Sequence, residues 1–272
     1  MYFNSSDISL LLLQIFYKDN INMSLQQSFS NQGNFLFKYR GQFPVIIFLL
    51  SMPFIKQSSL LINLELLNIL ILLSFLTGFF IRFYTIGTTP YGTSGRNTKK
   101  QVAESLNTKG IYSIIRHPLY LGNYLIWLSI SLYTFNPLFS VIMSLLFWIY
   151  YERIMYAEEE FLKNKFGEDF SSWSKNVPAF FPISLRIISS GIKLSFKSIL
   201  RREYASYLSS ISGFLFIDII RVLSSGKQIY NSNFSDLISD NQIFFYLSSL
   251  IIVLILRTLK HYTTLLEEEG RS

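Results

Sequence analysis

Long apolar runs alternate along this chain with short polar and basic stretches. Six of the runs are suited to membrane helices, and they cover residues 43–55, 60–80, 118–133, 138–151, 207–223 and 243–256. Several are shorter than the roughly 20 residues of a straight span, but their aromatic, lysine and arginine flanks can extend them through the interface. The pattern predicts an all-α fold, a polytopic integral membrane bundle of about six spans with cytoplasmic amphipathic helices.

Two prolines predict where helices begin and which of them are neighbours. Pro118 opens the third apolar run, and Pro137 marks a tight turn between the third and fourth. A short turn makes these two spans antiparallel neighbours. The fourth run continues into a polar helical stretch over 152–166, which Gly167 closes just after its C-cap. The third span should therefore begin on the membrane face where the fourth ends.

The chain divides into three predicted regions. Residues 1–42 form a cytoplasmic N-terminal segment, in which 1–22 are an upstream extension or an interfacial helix because Met23 offers a second start. Residues 43–183 form the membrane core, with a candidate site on its cytoplasmic side. Residues 184–272 begin with an amphipathic linker or surface helix, rich in serine and basic residues, and continue into two C-terminal spans.

The distribution of charge orients the bundle. With both termini in the cytoplasm, 21 of the 24 lysines and arginines lie inside, which leaves Lys56, Arg221 and Lys227 outside. This asymmetry follows the positive-inside rule. The net charge of +7 therefore favours contact with an anionic membrane surface over contact with nucleic acid.

The composition excludes several kinds of protein. Hydrophobic residues make up 50% and charged residues 15%, which excludes a disordered or nucleic-acid-coating chain. Because cysteine is missing and the histidines are His117 and His261, we expect no disulfide and no metal site. No G-x-G-x-x-G fingerprint occurs, and the longest polar interval, 152–206, is too short for a soluble dinucleotide-binding domain. Any cofactor should bind among the helices.

The entrance to the third span carries the first candidate site, Arg116-His117-Pro118-Leu119-Tyr120-Leu121-Gly122. Pro118 suits the first turn of a helix, where free backbone N–H groups can bind an anion. His117 can donate or accept a hydrogen bond, and Gly122 lets a ligand or a neighbouring helix approach the backbone. The alternative is a snorkelling arginine, an interfacial histidine and a packing glycine.

The end of the fourth span carries a second candidate site, the acidic run Glu158-Glu159-Glu160. A solvated helix face is the ordinary explanation of such a run. Among the many cations of this face, two adjacent carboxylates can instead hold the amino group or ribose hydroxyls of a zwitterionic cofactor. Arg153 and Glu160 are seven residues apart and share a helix face, which suits an ion pair or a clamp.

The loop over 92–100 is the third candidate, because it is rich in glycine, hydroxyl groups and cations. Arg96, Lys99 and Lys100 are the residues expected to bind a phosphate-bearing substrate headgroup. The alternative is that positive-inside topology alone places these cations here.

The ordered combination of motifs resembles the isoprenylcysteine carboxyl methyltransferase and phospholipid methyltransferase superfamily. The resemblance covers about residues 108–183. The loop before it, residues 94–110, and residues 37–40 are together similar to bacterial relatives that methylate a phosphate of lipid A. The motifs are, in chain order, Lys109-Gly110-Ile111-Tyr112, Arg116-His117-Pro118, Tyr120, Gly122, Glu158-Glu159, Leu162, Phe166-Gly167, Phe170 and Val177-Pro178.

The resemblance implies a membrane enzyme that binds S-adenosylmethionine on its cytosolic side. Relatives with an arginine four residues before the first glutamate would carry it at position 154, where this chain has Ile154 preceded by Arg153. A one-residue offset turns a helical side chain by about 100°. The implied catalytic residues are Arg116, Arg153 and Glu158. The implied cofactor-binding residues are His117, Pro118, Tyr120, Gly122, Glu158 and Glu159.

The function implied by the resemblance is methylation of a membrane lipid headgroup in a bacterial inner membrane, with O-methylation of a lipid A phosphate foremost. The alternative acceptors are the carboxylate of an isoprenylated cysteine and the amine of phosphatidylethanolamine. A second class, NADPH-dependent membrane reductases of lipids or sterols, shares a similar Arg-His-Pro and Phe-Gly pattern. Adjacent glutamates favour the sulfonium cofactor. We expect a membrane lipid as partner, without nucleic acid or an obligate protein partner.

Overall fold

Seven α-helices make up the described part of the chain. The computed structural model describes residues 23–55, 64–90, 101–224 and 239–270. The helices are α1 (Leu25–Tyr39), α2 (Phe43–Ile55), α3 (Leu64–Gly87), α4 (Pro118–Leu132), α5 (Pro137–Ser174), α6 (Phe196–Ser224) and α7 (Asp240–Tyr262). Strand-like pairing within these residues is limited to an isolated bridge between Gly110 and Ile188. The predicted all-α membrane bundle is confirmed.

The helices differ in how well they suit a membrane, although each predicted apolar run coincides with a helix over the residues described. Among those residues, α3, α5, α6 and α7 are long and apolar enough to cross a bilayer. The pair α1 and α2, bent by 85°, adds a fifth span if it counts as one. Because α4 has 15 residues, it rises only about 22 Å, less than the hydrocarbon thickness of about 30 Å. The count is thus four or five by length and composition, below the predicted six.

Prolines stand at the starts of the two helices that frame the candidate site. Pro118 is the first residue of α4, and Pro137 is the first of α5. At the start of α5, the side-chain oxygen of Asn136 accepts a hydrogen bond from the backbone N–H of Phe139 at 3.3 Å. The turn from α4 to α5 is short, and the two helices run antiparallel as Pro137 predicts.

Gly167 interrupts α5 with a kink, so the helical stretch before it ends where the sequence predicts and a second helical stretch follows. Its backbone has φ 53° and ψ −118°, outside the helical range, yet the helix resumes and continues to Ser174. Glycine adopts this left-handed conformation at little cost because it has no Cβ. α5 therefore changes direction at Gly167.

The start of the third predicted region combines the two alternatives given for it. Its first residues, up to 195, contain no regular helix, and the residues from Phe196 onward are helical. α6 begins at Phe196 and continues without a break through the predicted fifth span. Arg202 and Glu203 on this helix are 8% and 3% exposed. They are buried because this end of α6 packs against α3 and α4.

Close helix contacts and a dense apolar core hold the bundle together. A Cβ on Gly122 of α4 would lie 2.9 Å from the carbonyl oxygen of Gly78 on α3, so neither helix tolerates a larger residue at this contact. Many large apolar side chains on α3 and α7 point outward, as a lipid-facing surface requires. Phe139, Met143, Phe147 and Ile154 are among the large side chains that are almost fully buried.

Candidate functional site

A cavity of about 570 Å³ lies between the helices at the end where α4 begins. Residues of α1 to α6 line it, together with residues of the connecting segments, among them 101–103. Its volume is within the range of about 300–1,000 Å³ that is typical of small-molecule sites. Two polar groups line this cavity: the histidine cluster (Arg116, His117, Tyr120 and Glu158) and the arginine cluster (Arg82, Arg202, Glu203 and Ser206).

The start of α4 holds His117 in a fixed position. His117 is the residue before Pro118 and is 7% exposed. The backbone N–H groups of Arg116 and His117 donate hydrogen bonds to the carbonyl oxygens of Pro178 (2.9 Å) and Ala179 (3.1 Å). The segment around Pro178 therefore fixes the approach to α4, a role that its sequence did not reveal.

The first turn of α4 contacts both glutamates of α5. The Nε2 atom of His117 lies 2.9 Å from Oε1 of Glu159, and its Nδ1 atom lies 3.5 Å from Oε2 of Glu158. The hydroxyl of Tyr120 donates a hydrogen bond to Oε1 of Glu158 at 2.7 Å. The Nε atom of Arg116 lies 3.2 Å from Oε1 of Glu159. The structure thus brings together the two motifs that the sequence places on one membrane face.

The surroundings of His117 favour its charged form. Burial on its own lowers the pKa of the imidazole, but hydrogen bonds and negative charge from Glu158 and Glu159 raise the pKa above its ordinary value. Both ring nitrogens of an imidazolium are donors, so the ring can serve both carboxylates. His117 therefore ties α4 to α5 through charge-assisted contacts.

The two glutamates have different tasks in this arrangement. Glu158 lines the cavity beside Tyr120 and is the carboxylate that a ligand can reach. Glu159 contacts Arg116 and His117 and so positions them. Pro118 lines the cavity next to His117. At the histidine cluster the cavity therefore presents the carboxylate of Glu158, with that of Glu159 behind it.

Arg153 lies on another side of α5. Its Nη1 atom is 2.6 Å from Oε2 of Glu152, and its guanidinium carbon lies 3.6 Å from the centre of the Phe29 ring on α1. Its ion pair is therefore with Glu152 and not with Glu160. The structure places Arg153 at the contact of α1 with α5 and does not bring it to the cavity, contrary to its assignment as a catalytic residue. The reason is the one-residue offset around the helix.

Gly122 has a packing role in the structure. A Cβ at this position would lie 2.6 Å from Cγ of Arg82 and 2.9 Å from the carbonyl oxygen of Gly78. The bare backbone of α4 thus leaves room for the side chain of Arg82 to cross toward the cavity. Gly122 shapes the site through α3, which agrees with the packing alternative and not with direct cofactor contact.

The cavity also contains a buried ion pair that the sequence motifs did not include. The Nε and Nη2 atoms of Arg82 lie 2.6 and 2.8 Å from the two carboxylate oxygens of Glu203. The same guanidinium donates hydrogen bonds to the side-chain oxygen of Asn123 and to the hydroxyl of Ser206 (3.0 Å). One side chain therefore joins α3, α4 and α6. One feature of the sequence could have revealed this pair. Arg82 lies inside an apolar helix, and ionisable residues within membrane helices commonly have a function.

The predicted headgroup residues Arg96, Lys99 and Lys100 lie outside the described residues. The loop that follows them lines the cavity, and Lys165 of α5 donates a hydrogen bond to the carbonyl oxygen of Ala103 in this loop. The part of α5 that projects beyond the cavity therefore holds this border of the site.

Comparison with known proteins finds similarity over the segment that carries the histidine cluster. Residues 66–169 match the phospholipid methyltransferase family. The chain is 29% identical over 86 residues to the protein-S-isoprenylcysteine O-methyltransferase of Schizosaccharomyces pombe, which covers 32% of this chain and 36% of that protein. It is 34% identical over 86 residues to protein-S-isoprenylcysteine O-methyltransferase B of Arabidopsis thaliana, covering 31% and 43%. It is 36% identical over 78 residues to the cobalt-zinc-cadmium resistance protein CzcN of Cupriavidus metallidurans, covering 29% and 36%.

These matches confirm the resemblance to the isoprenylcysteine carboxyl methyltransferase and phospholipid methyltransferase superfamily for the segment that they cover. That segment contains α4, most of α3 and the part of α5 that carries Glu158 and Glu159, whereas α6 and α7 lie beyond it. The chain spans less than half the length of the three relatives. No solved structure matches it significantly.

Proposed function

We propose that this chain is an integral-membrane O-methyltransferase that uses S-adenosylmethionine to methylate an anionic oxygen of a lipid or lipid-linked acceptor. The observation that carries the proposal is the contact of His117 and Tyr120 with the paired glutamates beside a cavity, within the segment that matches methyltransferases. The carboxylate of an isoprenylated cysteine is the first candidate acceptor, because two of the relatives are named as isoprenylcysteine O-methyltransferases. A lipid A phosphate becomes the second candidate.

The chemistry of the cavity fits this cofactor, whose sulfonium and amino groups are positive and whose third charged group is a carboxylate. Glu158 offers a carboxylate to the positive groups. The guanidinium of Arg116, which Glu159 holds at 3.2 Å, also lines the cavity and offers hydrogen-bond donors to the cofactor carboxylate. The rings of Tyr120 and Tyr151, with centres 4.8 Å apart, add an apolar surface. Charge and shape therefore support binding here.

S-adenosylmethionine supplies a methyl group on a positively charged sulfur, which is left as a neutral thioether after transfer. A carboxylate or phosphate oxygen is already a competent nucleophile at neutral pH, so the chain needs no general base. Its residues must instead align the acceptor and exclude water, effects worth up to roughly 7–11 kcal/mol in favourable cases. The helices that surround the cavity can perform both tasks.

The polar residues then have separate roles in binding and orientation. Glu158 holds positive charge of the cofactor, and the hydrogen bond from Tyr120 fixes the orientation of its carboxylate. His117 and Glu159 fix the angle between α4 and α5. Arg116 supplies positive charge at the start of α4, where backbone N–H groups add to the attraction for an anion.

Transfer of a labelled methyl group by detergent-purified protein tests the acceptor. N-acetyl-S-farnesylcysteine, lipid A and phosphatidylethanolamine are offered separately, and we expect label on the farnesylated carboxylate. Label on lipid A alone would move the assignment to a phosphate. Label on phosphatidylethanolamine alone would move it to an amine, with a rate that rises with pH as the amine loses its proton.

Calorimetry tests the cofactor independently of the acceptor. Wild-type protein should bind S-adenosylmethionine, and Glu158→Gln should weaken binding at least about 10-fold, which corresponds to about 1.4 kcal/mol. The matched control is Glu160→Gln, because Glu160 belongs to the same acidic run and is exposed. Preferential binding of NADPH by the wild type would overturn the methyltransferase proposal in favour of a reductase.

A further inference from the structure

The arginine cluster draws on a part of the chain that the family match does not cover. Arg202, Glu203 and Ser206 belong to α6, whereas the match ends at residue 169. These residues nevertheless line the same cavity as His117 and Glu158. One wall of the site is therefore built by a helix for which the relatives provide no assignment.

Within this wall, Arg82 and Glu203 form a fixed and electrically neutral frame. The guanidinium binds both carboxylate oxygens of Glu203 and also donates hydrogen bonds to Asn123 and Ser206. Bidentate pairs of this kind hold a defined geometry. Because the two charges cancel, the frame positions α6 against α3 without determining the charge of the ligand.

Arg202 adds a positive charge beside this frame. It is buried and lines the cavity. Burial raises the pKa of the Tyr112 phenol, and the charge of Arg202 acts on the same group in the opposite direction. Tyr112 also lines the cavity, five residues before His117. Within the arginine cluster, Arg202 is therefore the member whose charge reaches Tyr112, in the loop that leads to the histidine cluster.

The charges of the whole lining point to an anionic ligand. Four arginines face two carboxylates, those of Glu158 and Glu203, among the described lining residues. Two of these arginines are held by carboxylates, Arg82 by Glu203 and Arg116 by Glu159, and the guanidinium groups of the lining are donors that suit an anionic oxygen. Hydroxyl groups of α6 also line the cavity, namely those of Ser206, Ser209 and Ser210. The four arginines are Arg40, Arg82, Arg116 and Arg202.

We propose that α6 supplies the acceptor-binding wall of the site and that Arg202 binds the anionic oxygen of the acceptor, which selects an acidic acceptor over its neutral counterpart. The inference rests on the proposed function for the identity of the reaction. The ligand chemistry is an anionic oxygen on a long apolar chain, which a lipidated carboxylate and a lipid phosphate both present.

Binding of matched acid and neutral ligands to the full chain in detergent tests this proposal without turnover. Calorimetry compares N-acetyl-S-farnesylcysteine with its methyl ester, and farnesyl phosphate with farnesol. The wild type should bind at least one acid about 10-fold or more tightly than its neutral partner. Arg202→Gln should lose most of this preference. The pair in which the preference appears identifies the source of the anion as carboxylate or phosphate.

The control is Arg201→Gln, which should keep the preference. Arg201 precedes Arg202 on the same helix but pairs with Glu267 at 3.3 Å and lies outside the cavity lining. Arg202→Lys keeps the charge and loses the planar fork, so it should retain an intermediate preference even if Arg202→Gln does not fold. Equal affinity of the wild type for acid and neutral ligands, or a preference unchanged in both Arg202 variants, would overturn the proposal.

Cofactor affinity separates this inference from the proposed function. The affinity for S-adenosylmethionine should stay within about twofold of wild type in the Arg202 variants, and an equal loss of cofactor and acid binding would overturn the assignment of Arg202 to the acceptor. If the wild type binds no S-adenosylmethionine, the proposed function fails. The acid preference and its dependence on Arg202 are measured in either case.

Discussion

His117 and Glu159 are 42 positions apart in the chain, and their side chains meet with 2.9 Å between Nε2 and Oε1. The contact joins the start of α4 to the part of α5 that projects beyond it. Since a short turn connects the opposite ends of these helices, the pair closes an antiparallel hairpin at its open end. The hairpin forms the side of the cavity to which we assign the cofactor.

Loss of the His117 ring should weaken cofactor binding. In His117→Ala, Glu158 and Glu159 lose a buried donor, and one such contact is worth about 1–3 kcal/mol. We expect the dissociation constant of S-adenosylmethionine, measured by calorimetry, to rise about 10-fold or more. His261→Ala is the matched control, since His261 is exposed near the end of α7. Equal affinities of the two variants would contradict a role for His117.

The fold should lose stability with rising pH in a way that depends on His117. Despite burial, Glu158 and Glu159 hold the pKa of His117 above its ordinary value of 6.5, so the folded state binds this proton more tightly than the unfolded chain. The resulting stabilisation is complete below about pH 6.5 and is lost as the pH rises through the raised pKa.

Melting temperatures of wild type and His117→Gln measure this effect between about pH 6 and pH 9. The advantage of the wild type should be largest at the acid end and shrink as the pH rises. An advantage that stays constant or grows with pH would show that His117 is not protonated in the folded protein.

Breaking the Arg82–Glu203 pair should destabilise the bundle more than removing it. Arg82→Met leaves the buried carboxylate of Glu203 without its bidentate partner, and such a loss costs about 3–5 kcal/mol. The double variant Arg82→Met/Glu203→Leu leaves no unpaired charge and should recover part of the loss. Unfolding in mixed detergent micelles measures the stability of the wild type, of the single variants Arg82→Met and Glu203→Leu, and of the double variant. Together these four proteins form a double-mutant cycle. Additive effects of the two substitutions would mean that the charges do not stabilise each other.

A methyl group at Gly122 should disturb both packing and the site. The new Cβ would lie 2.6 Å from Cγ of Arg82, so α3 and α4 must separate or the arginine must move. We expect Gly122→Ala to lower the free energy of unfolding by about 1–3 kcal/mol and to reduce methyl transfer. Gly41→Ala is the control, because a Cβ at Gly41 would have nothing within 4 Å. Thermal unfolding in detergent measures the difference, and equal stability of the two variants would contradict the close contact.

The positions of the helices could be predicted from the sequence because they depend on local chemistry. Apolar runs must form helices in a bilayer, where each backbone group needs an internal hydrogen bond. Pro118 and Pro137 stand at the first residues of α4 and α5. The meeting of His117 with the glutamates also follows, since a short turn returns the chain to the membrane face from which α4 started.

Tertiary packing decided which side chains enter the cavity. Arg82 and Glu203 are 121 positions apart, and no local pattern relates them. Arg153 and Glu158 lie on one helix, yet one contacts α1 and the other lines the cavity. The physical reason is that lipid is as apolar as the protein core. A helix such as α3 is apolar on nearly every side, so its sequence does not show which side faces the bundle. Rotation by one residue is about 100°, and it depends on contacts such as that of Gly78 with Gly122, which form only when the helices assemble.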